Sequence, residues 1–299
     1  MAEGTIDKAG AATTRATLIG ALALVIWPAL ALFATLAGPI PPFLLTGLAF
    51  AVSAILGMVW WLAKGNGLGK LLNRPFKDWA IGIGGLFGYH LLFFIALQNA
   101  PPVEANLLNY LWPLLIVLFS SLLPGERTHW YHLAGAFLGL AGTAMLVAGP
   151  GLAPKPEYIP GYLSAVACAV CWGGYSVASR RWCATVPTEF VIALCGGTAA
   201  LALLMHLAFE PSYSLNLREG LVVLAIGLGP LGAAFFFWDV GIKRGNIRAL
   251  GAASYTTPLL STLLLILFGK GEATAAVGLA ALLIVGGAIL ATRELWARR

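Results

Sequence analysis

The sequence predicts an all-α membrane protein of ten transmembrane helices, arranged as two inverted five-helix repeats. Three observations predict it. Ten apolar stretches are each about the roughly 20 residues a helix needs to cross a bilayer core of about 30 Å. The chain is 60% hydrophobic and only 10% charged, whereas roughly a quarter of an ordinary soluble domain is charged. Its two halves also superpose at one constant offset of 145 residues.

The elements follow in order. The stretch 16–36 lies behind Lys8 and Arg15 and lacks a convincing small-residue cleavage site, so it reads as a retained helix carrying Trp27 and Pro28. The second, 41–63, ends on Trp60 and Trp61, and the third, 79–99, opens on Trp79 and carries Gly84, Gly88, Tyr89 and His90. The fourth, 102–123, holds Asn106, Asn109, Tyr110, Trp112 and Pro113 within an arc of about 160° at 100° per residue. The fifth, 130–149, opens on Trp130 and has glycines at 135 and 139, a spacing that lets helices approach closely. The sixth, 160–181, carries Cys168, Cys171, Trp172, Gly173 and Gly174, and the seventh is 187–208. The eighth, 219–242, contains Pro230, Trp238 and Asp239, and the ninth, 248–268, places Ser254, Tyr255, Thr256 and Thr257 ahead of Pro258. The tenth is 273–295. Inside lipid every backbone polar group needs an internal partner, which a helix of this length provides. A membrane barrel is excluded, because its strands are about ten residues long and alternate polar with apolar.

Fifteen of the 18 Lys and Arg fall on the side that holds both termini, so both termini are expected in the cytoplasm. The net charge of +6 therefore describes loops beside anionic lipid, and it implies no nucleic-acid partner.

The repeat rests on costly matches. At the offset of 145, Trp27 falls on Trp172, Pro42 on Pro187, Gly82 on Gly227, Gly84 on Gly229, Tyr110 on Tyr255 and Pro113 on Pro258. Each copy holds an odd number of helices, so the second must enter the membrane from the other side. The expected organisation is a tail (1–15), a first repeat (16–149), a Pro-rich linker (150–160) and a second repeat (161–299). Inverted repeats are a signature of secondary transporters, with the solute site near the midplane between the copies.

Trp and Tyr prefer the membrane interface, where the polar atom stays wet. Seven Trp, including Trp238, are placed toward helix ends; Trp27, Trp112 and Trp172 are placed near mid-bilayer, with Tyr89, His90, Tyr110 and Tyr255 at similar depth. Their polar atoms should not face lipid tails, so they are expected to line a shared cavity. The expected substrate-binding residues are Trp27, Tyr89, His90, Asn106, Asn109, Tyr110, Trp112, Trp172 and Tyr255. Interhelical hydrogen bonding is the competing role for each polar residue taken singly.

No Asp or Glu falls in the middle of most spans, which argues against proton-coupled drug exchange; a proton-coupled drug/metabolite antiporter remains the alternative function. Asp239 stands four residues before Lys243, a spacing that allows an ion pair. Enzyme signatures fail. The Gly65–Lys70 segment has the wrong spacing for a phosphate loop, and Gly82 to Gly85 lies inside a span. Cys168 and Cys171 have no second ligand pair, and four Cys imply no disulfide framework. No catalytic residue, metal, cofactor or obligate protein partner is expected; the expected partners are a small solute and the lipid bilayer.

The two-by-five arrangement resembles the drug/metabolite transporter superfamily, of the EamA-like kind, with Trp238 to Leu260 and the later Gly271-Glu272 similar to its C-terminal repeat. The segments Arg15 to Gly20 leading to Trp27, Asn109 to Pro113, and Gly125 to Trp130 resemble the bacterial YddG-type exporters of aromatic amino acids. That resemblance implies export of aromatic and other neutral amino acids across the bacterial inner membrane.

Overall fold

The computed structural model describes residues 2–125, 129–148, 155–269, 274–291 and 293, and no strand occurs among them. Helix α1 (Ala2–Ile26) gives way to α2 (Ala29–Ala37) at Trp27 and Pro28. Helix α3 (Pro42–Ala63) starts on Pro42, whose missing N–H costs nothing in a first turn. After a short α4 (Leu68–Leu72) come α5 (Phe76–Asn99), α6 (Pro102–Asn109), α7 (Trp112–Ser120) and α8 (Trp130–Ala148). A 3₁₀ turn, Pro156–Tyr158, leads into α9 (Ile159–Trp182), followed by α10 (Val191–Phe209) and α11 (Leu217–Leu228). Asn216 and Glu219 close a reciprocal capping box at the start of α11. A π-helical turn, Gly229–Ala233, joins α11 to α12 (Ala234–Arg244), and α13 (Ile247–Ala253), α14 (Thr256–Leu267) and α15 (Ala275–Ala291) complete the chain.

Two breaks stand just ahead of Pro113 and Pro258, which are 145 residues apart. The α6–α7 rod is interrupted at Tyr110 and Leu111, and the α13–α14 rod at Ser254 and Tyr255. Pro113 has no N–H to give the Asn109 carbonyl, and Pro258 none for Ser254, so each rod loses the same bond.

Seven helical runs are long and apolar enough to cross a membrane: Gly10–Phe33, Pro42–Ala63, Phe76–Asn99, Pro156–Trp182, Phe190–Phe209, Leu217–Arg244 and Ile247–Leu267. Glu104–Ser120 and Ala275–Ala291 are apolar but shorter. The expected count of ten is thus met in part. The expected linker is described only from residue 155 onward; 149–154, 126–128 and 270–273 lie outside the described residues. The Gly125–Trp130 motif is correspondingly incomplete, and Gly271-Glu272 is not described.

Lipid supplies no hydrophobic force between apolar helices, so close packing has to hold them. Four antiparallel pairs do this. Along α3 and α10, Gly47 abuts Leu203 and Gly57 abuts Ile192. Along α8 and α15, Gly135 meets Gly287 and Gly142 meets Ala280 and Ile284. Along α5 and α9, Gly85 lies under the Tyr175 ring and Gly88 beside Cys171. Along α1 and α12, a Cβ on Gly20 would sit 2.7 Å from the Gly241 Cα, a contact that only two glycines allow.

These pairs fix two ends. One end gathers the early part of α1, the start of α5 and α10, and the ends of α9 and α12. There Trp79 meets Phe190 at 4.9 Å, and Arg180 Nη1 donates to the Gly245 carbonyl at 2.8 Å. Arg181, Lys243, Arg244 and Arg248 also lie here, so it is the basic end. The opposite end gathers the start of α3, α6 and α9 and the end of α5 and α10. There the Glu210 carboxylate accepts from the Phe43 and Leu44 N–H groups at 2.8 and 3.1 Å and meets His206 Nδ1 at 2.9 Å.

Candidate functional site

Between the two ends, four indoles form a mutual tetrad. Trp27 hangs from the α1–α2 break, Trp112 opens α7, Trp172 is in α9 and Trp238 is in α12. All six pairs are in ring contact. Trp27 lies 6.4 Å from Trp112, 5.8 Å from Trp172 and 5.2 Å from Trp238. Trp112 lies 6.4 Å from Trp172 and 6.0 Å from Trp238, and Trp172 is stacked on Trp238 at 6.3 Å. Most of these contacts are edge-to-face, the arrangement that sets a positive ring edge on a negative ring face. Two indole N–H groups have firm partners: Trp27 Nε1 donates to the Pro230 carbonyl at 3.1 Å and Trp238 Nε1 to Ser176 Oγ at 3.2 Å.

A second shell of rings leads away from the tetrad. Tyr89 lies 5.3 Å from Trp172, and Tyr175 lies 5.2 Å from it. Phe235 touches Trp27 at 6.0 Å and Phe50 at 5.4 Å, and Phe50 meets the His90 ring at 5.3 Å. Asn109 Nδ2 donates to the Tyr89 hydroxyl at 3.1 Å, while the buried Asn109 Oδ1 has no hydrogen-bond partner. That unmatched acceptor beside a phenol can receive an ammonium or an indole N–H from a solute. His90 Nδ1 is taken by the Leu86 carbonyl at 2.7 Å, so only its other nitrogen is free of the helix.

The structure therefore joins Trp27, Trp112, Trp172, Tyr89, His90 and Asn109 in one continuous set. Asn106 and Tyr110 are half-buried on the same rod as Asn109. Tyr255 differs from expectation. It is fully buried in a separate cluster with Leu114, Val117 and Ala136, its ring over Gly139. Gly139, without a side chain, leaves room on α8 in which the phenol packs, apart from the tetrad.

Trp238 is the residue that sequence reasoning missed. Counted from the end of its span it belonged at the interface, yet it is completely buried in the tetrad. Its partner is set by the antiparallel approach of Gly20 to Gly241, which brings Trp27 against it. The indoles pack on one another through their apolar faces, while Trp27 and Tyr89 stay half-buried. Cavities of about 380 Å³ and about 350 Å³ lie elsewhere, the first beside Phe33, Leu217 and Val222 and the second beside Trp60, Glu189 and Phe236.

Among the described residues, the ring contacts and indole hydrogen bonds given for the tetrad include no carboxylate. The nearest in sequence, Asp239, is buried in an ion pair with Lys243 at 2.7 Å and accepts from Thr188 Oγ1 at 2.8 Å. Lys243 Nζ also donates to the Val186 carbonyl at 3.1 Å. Among the described residues no three His, Cys, Asp or Glu side chains are grouped to hold a metal, and all four cysteines are free.

The profile of the EamA-like transporter family matches residues 14–148 and again 159–293. The chain is 54% identical over 286 residues to the aromatic amino acid exporter YddG of Ancylobacter novellus, covering 95% of this chain and 98% of that protein. It is 27% identical to the aromatic amino acid exporter YddG of Escherichia coli (strain K12), over 92% of this chain and 96% of that one. A solved crystal structure superposes with a TM-score of 0.89 at 53% identity, covering 94% of this chain and 99% of its own.

Proposed function

The chain belongs to the EamA-like transporter family, and from that premise we propose that it exports aromatic and other neutral amino acids across a bacterial inner membrane by alternating access. The observation that carries this is the indole tetrad with its attached Tyr89–Asn109 pair. A flat ring exchanges one edge-to-face contact for another at little cost, each pair contributing about 0.5–1.5 kcal/mol. The solute's polar end is then met by amide and phenol groups rather than by a fixed charge. Trp27, Trp112, Trp172, Tyr89, His90, Asn106, Asn109 and Tyr110 bind the solute, with Trp238 beneath them. Transport is facilitated or weakly coupled, which is supported by Asp239, the acid next to Trp238 in sequence, being already neutralised by Lys243.

The architecture proposed for this activity is ten crossing helices in two inverted copies, with both termini cytoplasmic. Equivalent helices α3 and α10 run antiparallel, as do α8 and α15, which supports inversion. The two family matches are themselves 145 residues apart at both bounds, which supports repeats at 16–149 and 161–299.

Counterflow of radiolabelled phenylalanine or tryptophan in proteoliposomes tests this. Labelled solute should accumulate transiently against unlabelled solute inside, without an imposed gradient. Accumulation of a lipophilic cation driven by a proton gradient, with no amino-acid flux, would instead establish the antiporter.

A further inference from the structure

The two halves touch in a pair of contacts, one at each end, that stand at nearly corresponding places in the repeat. At the basic end, Gly245 abuts Thr17, and the Asn246 N–H donates to Thr17 Oγ1 at 2.8 Å. At the opposite end, Gly161 abuts Asn99 and Ala100, and Tyr162 donates its hydroxyl to Glu104 Oε2. Gly245 is the counterpart of Ala100, and Tyr162 is the counterpart of Thr17. Both contacts are made in this structure, with the indoles packed between them.

Each contact fastens the beginning of a half-helix whose far end is already broken. Helix α6 starts at Pro102 and stops at Asn109; α13 starts at Ile247 and stops at Ala253. Swinging either half-helix about its break costs few backbone hydrogen bonds, since proline has removed the bond that would resist it. Helix α6 also packs against α9, α8 and α5, and the Tyr162–Glu104 bond fastens its start to α9. The fastenings differ in chemistry. At the basic end the donor is backbone, whereas at the opposite end two side chains meet, one of them a buried carboxylate with 7% of its surface exposed. A hydrogen bond to an ionised carboxylate is about twice as strong as a neutral one.

We propose that Glu104 and Tyr162 are the latch of the gate at the end opposite the termini, and that α6 is the element it releases. Opening there frees the rod that carries Asn109 and so gives access to Tyr89 and the tetrad. The inference rests on the exporter function only for the direction of transport; the latch itself is a property of the contact.

Hydrogen–deuterium exchange of the full chain in lipid nanodiscs tests it. Tyr162→Phe and Glu104→Leu should each speed exchange in peptides spanning 103–110 about tenfold or more, with 247–254 unchanged. Glu104→Gln keeps an acceptor and should fall between them and the unaltered chain. Thr17→Val should do the reverse, loosening 247–254 alone. Unaltered exchange at 103–110 in both the Phe and Leu variants overturns the latch. So does loss of protection throughout the chain in both, which would make the contact part of the fold rather than of a gate. Counterflow on the same preparations separates the two claims: no flux from the unaltered chain removes the exporter, and flux with an unchanged α6 removes the latch.

Discussion

The indole N–H of Trp27 holds the carbonyl of Pro230 at 3.1 Å, tying the break in the first span to the π turn in the eighth. The π turn makes this carbonyl available. Ala234 N–H donates to Gly229, five residues back, instead of to Pro230, four back. The bond thus joins two places where helical hydrogen bonding is already irregular, one in each half of the chain.

Trp27→Phe keeps a ring at the site and removes the donor. It should destabilise the protein by about 1–3 kcal/mol, the cost of leaving a buried carbonyl unmatched. Thermal unfolding in detergent should show a lower midpoint than the unaltered chain. An unchanged midpoint would mean that another donor takes over at Pro230.

Trp238 separates a tetrad from a triad. Trp238→Leu should slow amino-acid counterflow at least about tenfold, since it deletes three indole contacts of about 0.5–1.5 kcal/mol each. Trp60, which is 46% exposed, is the comparison. Trp60→Leu should transport at the normal rate, and equal losses in both variants would show that Trp238 has no special role.

The Asp239–Lys243 pair is nearly dry, with side chains 3% and 5% exposed. Removing one partner leaves an uncompensated buried charge, so Asp239→Asn or Lys243→Met should each cost about 3–5 kcal/mol. The double change Asp239→Leu with Lys243→Met should cost less than either alone. Melting points of the three proteins decide this, and strictly additive losses would contradict it.

Glycine contacts give a sharp contrast. At Gly241 a Cβ would lie 2.6 Å from the Gly20 Cα, so Gly241→Val must push α1 away from α12 and disturb the Trp27–Trp238 contact. At Gly84 a Cβ meets nothing within 4 Å, so Gly84→Ala should be tolerated. Yield and monodispersity in detergent compare the two directly.

Much of this protein is legible along the chain. Apolar length, the separation of Lys and Arg, and the offset that pairs Trp27 with Trp172 and Pro113 with Pro258 are one-dimensional properties, readable without knowing which helices touch. The grouping of Asn106, Asn109, Tyr110, Trp112 and Pro113 was likewise visible as a helical arc, whereas the break at Tyr110 and Leu111 within it was not. Nor were the places of Tyr255 and Trp238. Tyr255 has the right depth and the right repeat partner, yet Gly139 on a helix far away in sequence offers its ring a separate socket. Trp238 has the wrong depth by counting, yet the close crossing of Gly20 and Gly241 brings it under Trp27.

The sequence by itself determined an apolar, all-helical chain made of two related halves, with aromatic rings held away from its ends. Only the tertiary structure decided which rings meet, and that Thr17 and Tyr162 each bond the other half at opposite ends. The physical reason is that helix period and apolar length depend on near neighbours in the chain. Ring contacts depend on the rotation and spacing of packed helices, which pairs of glycines far apart in sequence set to within a few tenths of an ångström.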